Sequence, residues 1–470
     1  MVQGAVHSRG AKIVVTGERR SSRTYQPRRV SLSDNSAFRR AMLMMTASSL
    51  LVPLVGLVTA PILAQALGVM GRGEAAAAVA PNALVVSVAT LGLPEALTYH
   101  LAKRPYITRA AIWWASLFSA LLGAVCLIVT FFAADFLAGG DADLAGLIVL
   151  GAAIAIPMLF VNLLRGAASG RQMWSTVAAE RIANSFLRLG ALSVLALTGN
   201  LDVLAAVLVM TIAPVVAGLA YWRLAQKPPP APADAPLPGP VAPALLSFGS
   251  KIWLGAVASM LLGRLSQLLV TPLSDVTQLG LLVVAITISD VPFIVATAVR
   301  DVVFGTESAE ADSSRLATTS RIATLIALLG SLVLGGTLPF WIGALFGDGF
   351  EAAIIPTWLL LASAIVGVPG LIAGAGLGSA GRPGLRSAVL IVALISNLIG
   401  MVLLVPPFGA IGAASAGLAS TVLSTVLGVI MVSRLLHLSP SQMLMPTRSD
   451  VALIVSEARL LLSRFGRRRS

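Results

Sequence analysis

The feature that most constrains this chain is a series of apolar runs, each about 20 residues or longer, separated by short polar turns. A helix of that length crosses the hydrocarbon core of a bilayer, which is about 30 Å thick. The runs lack the alternation of a membrane β-strand, and lipid otherwise leaves only helices to satisfy the backbone. The sequence therefore predicts an all-α, polytopic membrane protein. Its 57% hydrophobic and 11% charged residues agree with that class.

Turn residues divide the apolar sequence into twelve expected membrane-spanning helices. The breaks are predicted at glycine-, proline- and charge-rich segments such as GGDAD, AGRPG and PPFG. The expected spans are 41–68, 75–102, 107–137, 142–168, 172–199, 201–225, 247–274, 279–304, 315–346, 352–379, 384–406 and 409–437.

Charges in the connecting turns alternate in sign along the chain. Every second turn is basic, as at Lys103 and Arg382, and the turns between them are acidic, as at Asp141 and Asp348. Arg72 is the only basic residue among the acidic turns. Because positively charged loops remain in the cytoplasm, the pattern predicts that both termini are cytoplasmic.

A Pro/Ala-rich stretch at 226–246 separates six expected spans from six others. It cannot form a membrane helix and is typical of a semi-rigid linker, here cytoplasmic. Gly73 and Gly280 occupy similar contexts in corresponding helices of the two halves. The sequence therefore predicts two pseudo-symmetric six-helix lobes, 41–225 and 247–437, around a central cavity, related by an axis along the membrane normal.

The two ends of the chain are predicted to be cytoplasmic tails. Residues 1–40 are polar and basic, lack a signal-peptide core, and are expected to be disordered. Within the second tail, 438–470, apolar residues between 450 and 465 recur at helical spacing. That amphipathic helix lies either on the inner membrane face or against the protein's own loops. The net charge of +13 indicates an anionic membrane surface rather than nucleic acid, because aromatic residues are not interleaved with the basic ones.

The sequence contains no arrangement typical of an enzyme. It has a single cysteine, Cys126, three scattered histidines, and no H-E-x-x-H, Walker A or G-x-S-x-G motif. We therefore expect no catalytic residues, no metal site and no cofactor.

Two arginines lie far inside expected helices, Arg188 in the fifth span and Arg264 in the seventh. An arginine near a helix centre costs about 2.5–3.5 kcal/mol on insertion scales, so it calls for a partner or a function. Arg181, Asn184 and Arg188 share one helix face, and Gln267 follows Arg264 by one turn. These five residues are the candidate binding residues.

The acids inside the spans leave two interpretations open. In the structural one, Asp290 pairs with Arg264 and Glu95 pairs with Arg181. In the functional one, Asp290 and Glu95 couple transport to a cation, and the surplus of arginine near mid-membrane binds an anion. Guanidinium groups suit phosphate because they bind it through paired hydrogen bonds. Glu180, next to Arg181, is expected to have a local partner.

Four segments resemble the Wzx-type oligosaccharide flippases of the multidrug/oligosaccharidyl-lipid/polysaccharide (MOP) exporter superfamily. The resemblance is one of glycines, turns and helix lengths. The segments are 66–104, which begins ALGVMGRGE, 263–305, which begins GRLSQLLVTPLSD, 345–383, which begins LFGDGF, and 408–421, FGAIGAASAGLAST. The resemblance implies alternating access, coupling to a cation or to the membrane potential, and a polyprenyl-pyrophosphate-linked oligosaccharide as substrate. It also implies a bacterial cytoplasmic membrane and neighbouring glycosyltransferases and a polysaccharide polymerase.

One departure from the resemblance concerns the seventh span. Related sequences often read R-L-D-Q there, whereas this chain has Ser266 between Leu265 and Gln267. The missing acid leaves Arg264 to a ligand phosphate or to Asp290. Three other functions stay open: a lipid II flippase, a cation-coupled multidrug exporter of the same superfamily, and a non-transporting scaffold for a polysaccharide synthase.

The expected topology is open to a direct test. Reporter fusions at Gly139 and at Pro230 are expected to report opposite sides of the membrane, because the first lies in an acidic turn and the second in the predicted cytoplasmic linker. Paired alkaline phosphatase and green fluorescent protein fusions provide the measurement. Two fusions that report the same side would contradict the twelve-span arrangement.

Overall fold

The computed structural model describes residues 32–225, 240–305, 313–380 and 382–445, together with 447 and 450. By its internal contacts the chain forms two units, Met1–Met42 and Leu43–Ser470; only the start of the first helix is described in the former. Much of the predicted basic tail, of the linker and of the amphipathic helix lies outside the described residues. The helices are α1 Leu32–Ala89, α2 Leu93–Lys103, α3 Thr108–Leu137, α4 Ala142–Gly170, α5 Trp174–Leu197, α6 Val203–Ala217, α7 Val241–Leu273, α8 Val276–Gly305, α9 Ser313–Phe346, α10 Ile354–Ser379, α11 Pro383–Leu436 and α12 Pro440–Leu444. Short 3₁₀ helices lie at Pro105–Ile107, Gly218–Ala225 and Phe350–Ala353.

Two of the long helices are each interrupted by a glycine. Gly68 in α1 has φ 67° and ψ −173°, and Gly409 in α11 has φ 53° and ψ −126°, conformations that favour glycine. Within the described residues nine helices are long and apolar enough to cross a membrane, and α1 and α11 are among them. Counting those two twice, and adding the more polar α5, gives the twelve crossings that the sequence predicts. The fold is all-α, with two six-helix lobes.

Three boundaries differ from the sequence prediction. The second expected span, 75–102, is not continuous: α1 ends at Ala89 and α2 starts at Leu93, because Leu91 and Gly92 both have positive φ. The first helix begins at Leu32, before the predicted end of the tail at residue 40. The seventh begins at Val241, six residues before the predicted start at 247, because Pro243 lies in a first turn whose N–H groups need no helical partner.

The two ends of the helix bundle differ in charge. We call one end the basic end and the other the acidic end. The basic end carries Lys103, Arg104, Arg171 and Arg382, and the acidic end carries Asp141, Asp202, Asp275 and Asp348.

At the acidic end the two lobes touch through backbone. A Cβ atom on Gly73 of α1 would lie 1.9 Å from the carbonyl oxygen of Val276 in α8, and a Cβ on Gly280 would lie 2.0 Å from that of Val69. Only glycine permits this approach. Residues related by a two-fold axis meet only near that axis, so the contact between Gly73 and Gly280 agrees with the pseudo-symmetry predicted from this same pair.

A second backbone contact joins the lobes towards the basic end. A Cβ on Gly92 would lie 2.5 Å from the carbonyl oxygen of Gly249 in α7, and Gly249 approaches the Leu91 carbonyl equally closely. Nearby, Trp253 Nε1 of α7 donates a hydrogen bond to the Val88 carbonyl of α1 at 3.0 Å. The lobes therefore touch through glycine pairs on both sides of the space between them.

The first lobe contains an ion pair between a fully buried carboxylate and a partly buried arginine. Glu180 on α5 is 0% exposed and accepts two hydrogen bonds from Arg165 on α4, at 3.1 Å from Nε and 3.0 Å from Nη2. Tyr221 donates a third hydrogen bond to this carboxylate at 3.3 Å. Asn162 accepts from Arg165 Nη1 at 2.9 Å. The prediction of a local partner for Glu180 is confirmed, although the partner is on the neighbouring helix.

After α11 the chain returns to the start of α9. Arg321 donates to Asp450 at 2.6 Å and to the Gln442 carbonyl at 2.6 Å, and Ser320 donates to the Met443 carbonyl at 2.9 Å. The guanidinium of Arg321 is the main reason that the pKa of Asp450 falls to about 2. The first part of the predicted C-terminal tail therefore packs on the protein itself.

Replacing Glu180 with alanine is expected to destabilise the protein by about 3–5 kcal/mol, because Arg165 loses its partner in a poorly solvated site. Unfolding of the detergent-solubilised protein, followed by circular dichroism, measures the loss. Glu95→Ala is the matched control, since Glu95 is exposed and has no ion pair in the described part of the chain. Equal stability of the two variants would contradict a stabilising role for the buried pair.

Candidate functional site

A cavity of about 350 Å³ lies between the two lobes. Its walls come from both halves of α1, from α5 and α6 of the first lobe, and from α7 and α8 of the second. Most lining side chains are aliphatic, and a few polar and charged groups lie among them. We call this space the central cavity.

Three arginines line the central cavity. Arg188 comes from α5, Arg264 from α7 and Arg72 from α1, so both lobes contribute. Arg188 and Arg264 each lie nine residues before the end of their helix, at equal depth below the acidic end. Nine residues of helix span about 13 Å. Arg188 and Arg264, from opposite lobes, thus line one cavity at similar depth.

The guanidinium groups are only partly satisfied by protein. Arg264 Nη1 donates to Gln267 Oε1 at 2.7 Å. Arg72 is 5% exposed, and its Nε and the Nε of Arg188 are buried with no hydrogen-bond partner in the described part of the protein. A buried donor without a partner costs about 1–3 kcal/mol. The cavity wall thus offers donors that an anion could satisfy.

One carboxylate, Asp290 of α8, faces these arginines among the described lining residues. Within the described residues no ion pair of 4.0 Å or less joins it to Arg264. Three guanidinium groups against one carboxylate leave a formal charge of +2 on the lining. Neutralisation of the arginines by Asp290 alone is therefore incomplete, and the cavity suits an anion.

The structure separates the other sequence candidates from this site. Arg181 and Asn184 share α5 with Arg188, but they are not part of the cavity lining. Arg181 is half-buried and makes interactions of its own, and Asn184 Oδ1 is buried without a described partner. Glu95 is exposed on α2 and does not reach Arg181 through an ion pair in the described residues. The site thus contains Arg188, Arg264, Gln267 and Asp290.

Arg72 is the site residue that the sequence interpretation missed. The segment GVMGRG was interpreted as a turn, but the helix is broken only at Gly68 and continues through Arg72. Gly73 brings this turn of α1 against α8, which places Arg72 in the wall of the cavity. The available signal was that Arg72 is the single basic residue among the acidic turns.

No group of three or more histidine, cysteine, aspartate or glutamate side chains that could hold a metal ion occurs in the described part of the chain. The chemistry available in the central cavity is hydrogen bonding and charge, supplied by guanidinium groups that bind oxyanions in pairs.

Comparisons with known proteins identify the family and show which solved structures have a similar fold. The model of a family described as polysaccharide biosynthesis protein matches residues 38–304. No curated protein matches the sequence. Among solved structures, the chain resembles an inward-facing multidrug resistance MATE family transporter of the MOP superfamily, with 15% identity, 84% of this chain and 99% of that chain covered, and a TM-score of 0.63. It also resembles the lipid II flippase MurJ in an inward closed conformation, with 11% identity, 83% and 87% covered, and a TM-score of 0.65. A third similar structure is a MOP superfamily transporter from Pyrococcus furiosus, described as having a binding pocket of reverse polarity, with 16% identity, 85% and 96% covered, and a TM-score of 0.56.

Replacing Arg72 with methionine is expected to stabilise the ligand-free protein by about 1–3 kcal/mol, because it removes a buried, unsatisfied donor and reduces repulsion between cations. Arg165→Met is the matched control and should act in the opposite sense, since Arg165 is paired with Glu180. Thermal unfolding of the two purified variants and the parent shows whether each substitution raises or lowers stability. A loss of stability for both would show that Arg72 has a structural partner.

Proposed function

This chain belongs to the family of polysaccharide biosynthesis proteins, and we propose that it moves a polyprenyl-pyrophosphate-linked oligosaccharide from the inner to the outer leaflet of the cytoplasmic membrane. The observation that carries the proposal is the surplus of guanidinium groups in the central cavity. A diphosphate supplies two adjacent anionic groups rich in acceptor oxygens. It therefore matches three arginines contributed by both lobes better than a neutral or cationic ligand does.

The substrate would offset the cost of placing three arginines inside the membrane-spanning helices. Arg72 and Arg188 each have an Nε donor without a protein partner, and Asp290 is the one counter-charge among the described lining residues. A bound diphosphate would neutralise the lining and accept these hydrogen bonds at once. Removing one partner from a desolvated charge pair leaves the other charge uncompensated, which is unfavourable. The bound diphosphate and the arginines would therefore stabilise each other.

The two glycine contacts between the lobes suit alternating access. Glycine pairs bury little apolar surface, so separating them costs less than separating interlocked side chains. We propose that the contact of Gly73 with Gly280 closes the outer side of the cavity and that of Gly92 with Gly249 closes the inner side. Opening one contact while the other stays closed would expose the central cavity to one leaflet at a time.

Orientation, coupling and partners form part of the same proposal. The basic end would face the cytoplasm, and both termini with it, because of the excess of basic residues there. Asp290 would either couple transport to a cation or only moderate the charge of the arginines. Glycosyltransferases and a polysaccharide polymerase are the proposed partners, since they would supply and consume the lipid-linked saccharide.

The charge of the cavity helps to distinguish between the three alternative functions. Lipid II also carries a polyprenyl diphosphate, so a lipid II flippase would use the same arginines and differs only in the groups beyond the phosphates. A carrier of cationic drugs would need surplus acid, whereas the lining is cationic. In a non-transporting scaffold the arginines within the membrane-spanning helices would be energetically unfavourable and would have no function.

Binding of undecaprenyl diphosphate to purified variants tests the proposal. Arg264→Ala is expected to weaken binding roughly ten- to hundredfold, because one charge-assisted hydrogen bond is worth about 1.5–3 kcal/mol. Arg264→Lys should weaken it less, since it retains the charge and loses the planar fork. Native mass spectrometry with the lipid in detergent gives the dissociation constants.

The matched control is Arg181→Ala, which removes an arginine from the same helix as Arg188 but outside the cavity lining. It is expected to leave lipid binding close to that of the parent. A folded Arg188→Ala, Arg264→Ala double variant with the affinity of the parent would overturn the proposal.

A further inference from the structure

A second cavity, of about 430 Å³, lies inside the second lobe. Its walls come from α7, α8, α10 and both halves of α11. Ile286 and Asp290 of α8 line this cavity and the central cavity alike. The two spaces are therefore neighbours, and Asp290 lies at their boundary. We call the second one the lobe cavity.

The lobe cavity is rich in hydroxyl groups that have spare acceptor capacity. Ser289 and Ser424 donate to carbonyl groups of their own helices, and Thr425 donates to the Val366 carbonyl. Ser363 donates to the hydroxyl of Thr421 at 2.9 Å. Each of these donors uses its proton within the protein and keeps an oxygen lone pair for a ligand donor.

The charges of the lobe cavity balance, in contrast to those of the central cavity. Asp290 and Arg386 are its two charged lining residues among those described. Several lining positions are glycine, and a Cβ atom at Gly263 would meet no atom within 4 Å. The space thus suits a ligand that is uncharged, polar and able both to donate and to accept hydrogen bonds. Its volume is in the range of about 300–1,000 Å³ that encloses small ligands.

We infer that the lobe cavity binds the first sugar residues of the transported lipid while the arginines of the central cavity hold its diphosphate. The inference rests on the proposed function. Sugar hydroxyls donate to the carboxylate of Asp290 and to Ser and Thr oxygens, and they accept from Arg386. The first sugar is bonded directly to the diphosphate, as the adjacency of the two cavities requires. Asp290 repels phosphate and accepts from hydroxyl groups, so it fixes which part of the ligand enters which cavity.

Filling the lobe cavity tests this assignment. Gly263→Leu places a side chain into its open space, and leucine has a higher helix propensity than glycine, so α7 should form normally. The probes are undecaprenyl diphosphate and undecaprenyl diphosphate that carries an N-acetylglucosamine-containing disaccharide. The parent is expected to bind the sugar-bearing lipid more tightly. Gly263→Leu should weaken that binding by about tenfold, the value of one or two lost hydrogen bonds, and leave binding of the sugar-free lipid unchanged.

Gly336→Leu is the matched control. Gly336 lies on α9 of the same lobe, has open space around its Cβ position, and lines neither cavity. This variant should bind both lipids as the parent does.

A second variant keeps the test independent of how Gly263→Leu folds. Asp290→Asn removes the carboxylate from both cavities. It should weaken the preference for the sugar-bearing lipid and strengthen binding of the sugar-free lipid, since the central cavity becomes more positive.

The outcomes separate the two proposals. Equal affinity of the parent for both lipids, or equal losses for both lipids in Gly263→Leu, would overturn the sugar assignment while the diphosphate site stands. Arginine variants that bind the sugar-free lipid as the parent does would overturn the proposed function instead.

Discussion

The close approach of α1 and α8 at Gly73 and Gly280 is the contact on which the arrangement of the site depends. Because neither residue has a side chain, the carbonyl of each helix occupies the position where the other would carry a Cβ atom. This contact joins the lobes at the acidic end and brings Arg72 beside the wall formed by α8. A larger residue at either glycine would separate the helices and widen the cavity between Arg72 and Asp290. The glycines therefore matter for the distance between charges as much as for packing.

The sequence predicted the crossings well because the physical signals for them are local. The breaks at Gly68 and Gly409 follow from turn chemistry, and the apolar lengths follow from the thickness of a bilayer. The interruption at Leu91–Gly92 was missed because an apolar run conceals a turn that needs only two residues of positive φ. The early start of α7 was missed because proline is tolerated in a first turn.

The site was predicted in part, and the missing part has a physical reason. Depth along a helix can be read from sequence, so Arg188 and Arg264 could be placed near each other at the same level. The direction of a side chain around a helix that is apolar on all sides cannot be read in this way. Arg181 and Asn184 share a face with Arg188, yet they lie outside the cavity lining, because the cavity occupies only part of the length of α5. The partner of Glu180 could not be identified from the sequence either, because Arg165 reaches it from the preceding antiparallel helix.

Two arginines in the first lobe differ in how well the protein satisfies their hydrogen-bond donors. Arg165 donates hydrogen bonds to a carboxylate and to an amide oxygen, and the same carboxylate accepts from Tyr221, so the charge of Arg165 is paired within the protein. Arg72 is more deeply buried than Arg165 but lacks a partner for its Nε atom. The first arrangement stabilises the fold, whereas a buried donor without a partner lowers stability. Under the proposed function a bound anion would supply the missing partner, so the cost in stability would accompany a gain in binding.

Helix α8 connects the inter-lobe contact to both cavities. Gly280 near its start touches α1, and Asp290 about three turns later borders the central cavity and the lobe cavity together. A rotation or shift of α8 that breaks the glycine contact must also move Asp290 relative to the three arginines, because a continuous helix transmits such a displacement along its length. Separation of the lobes at the acidic end and rearrangement of the charges would then be one event. A ligand that holds Asp290 on one side and the arginines on the other would bias that event, which is the differential affinity that any ligand-driven change between two states requires.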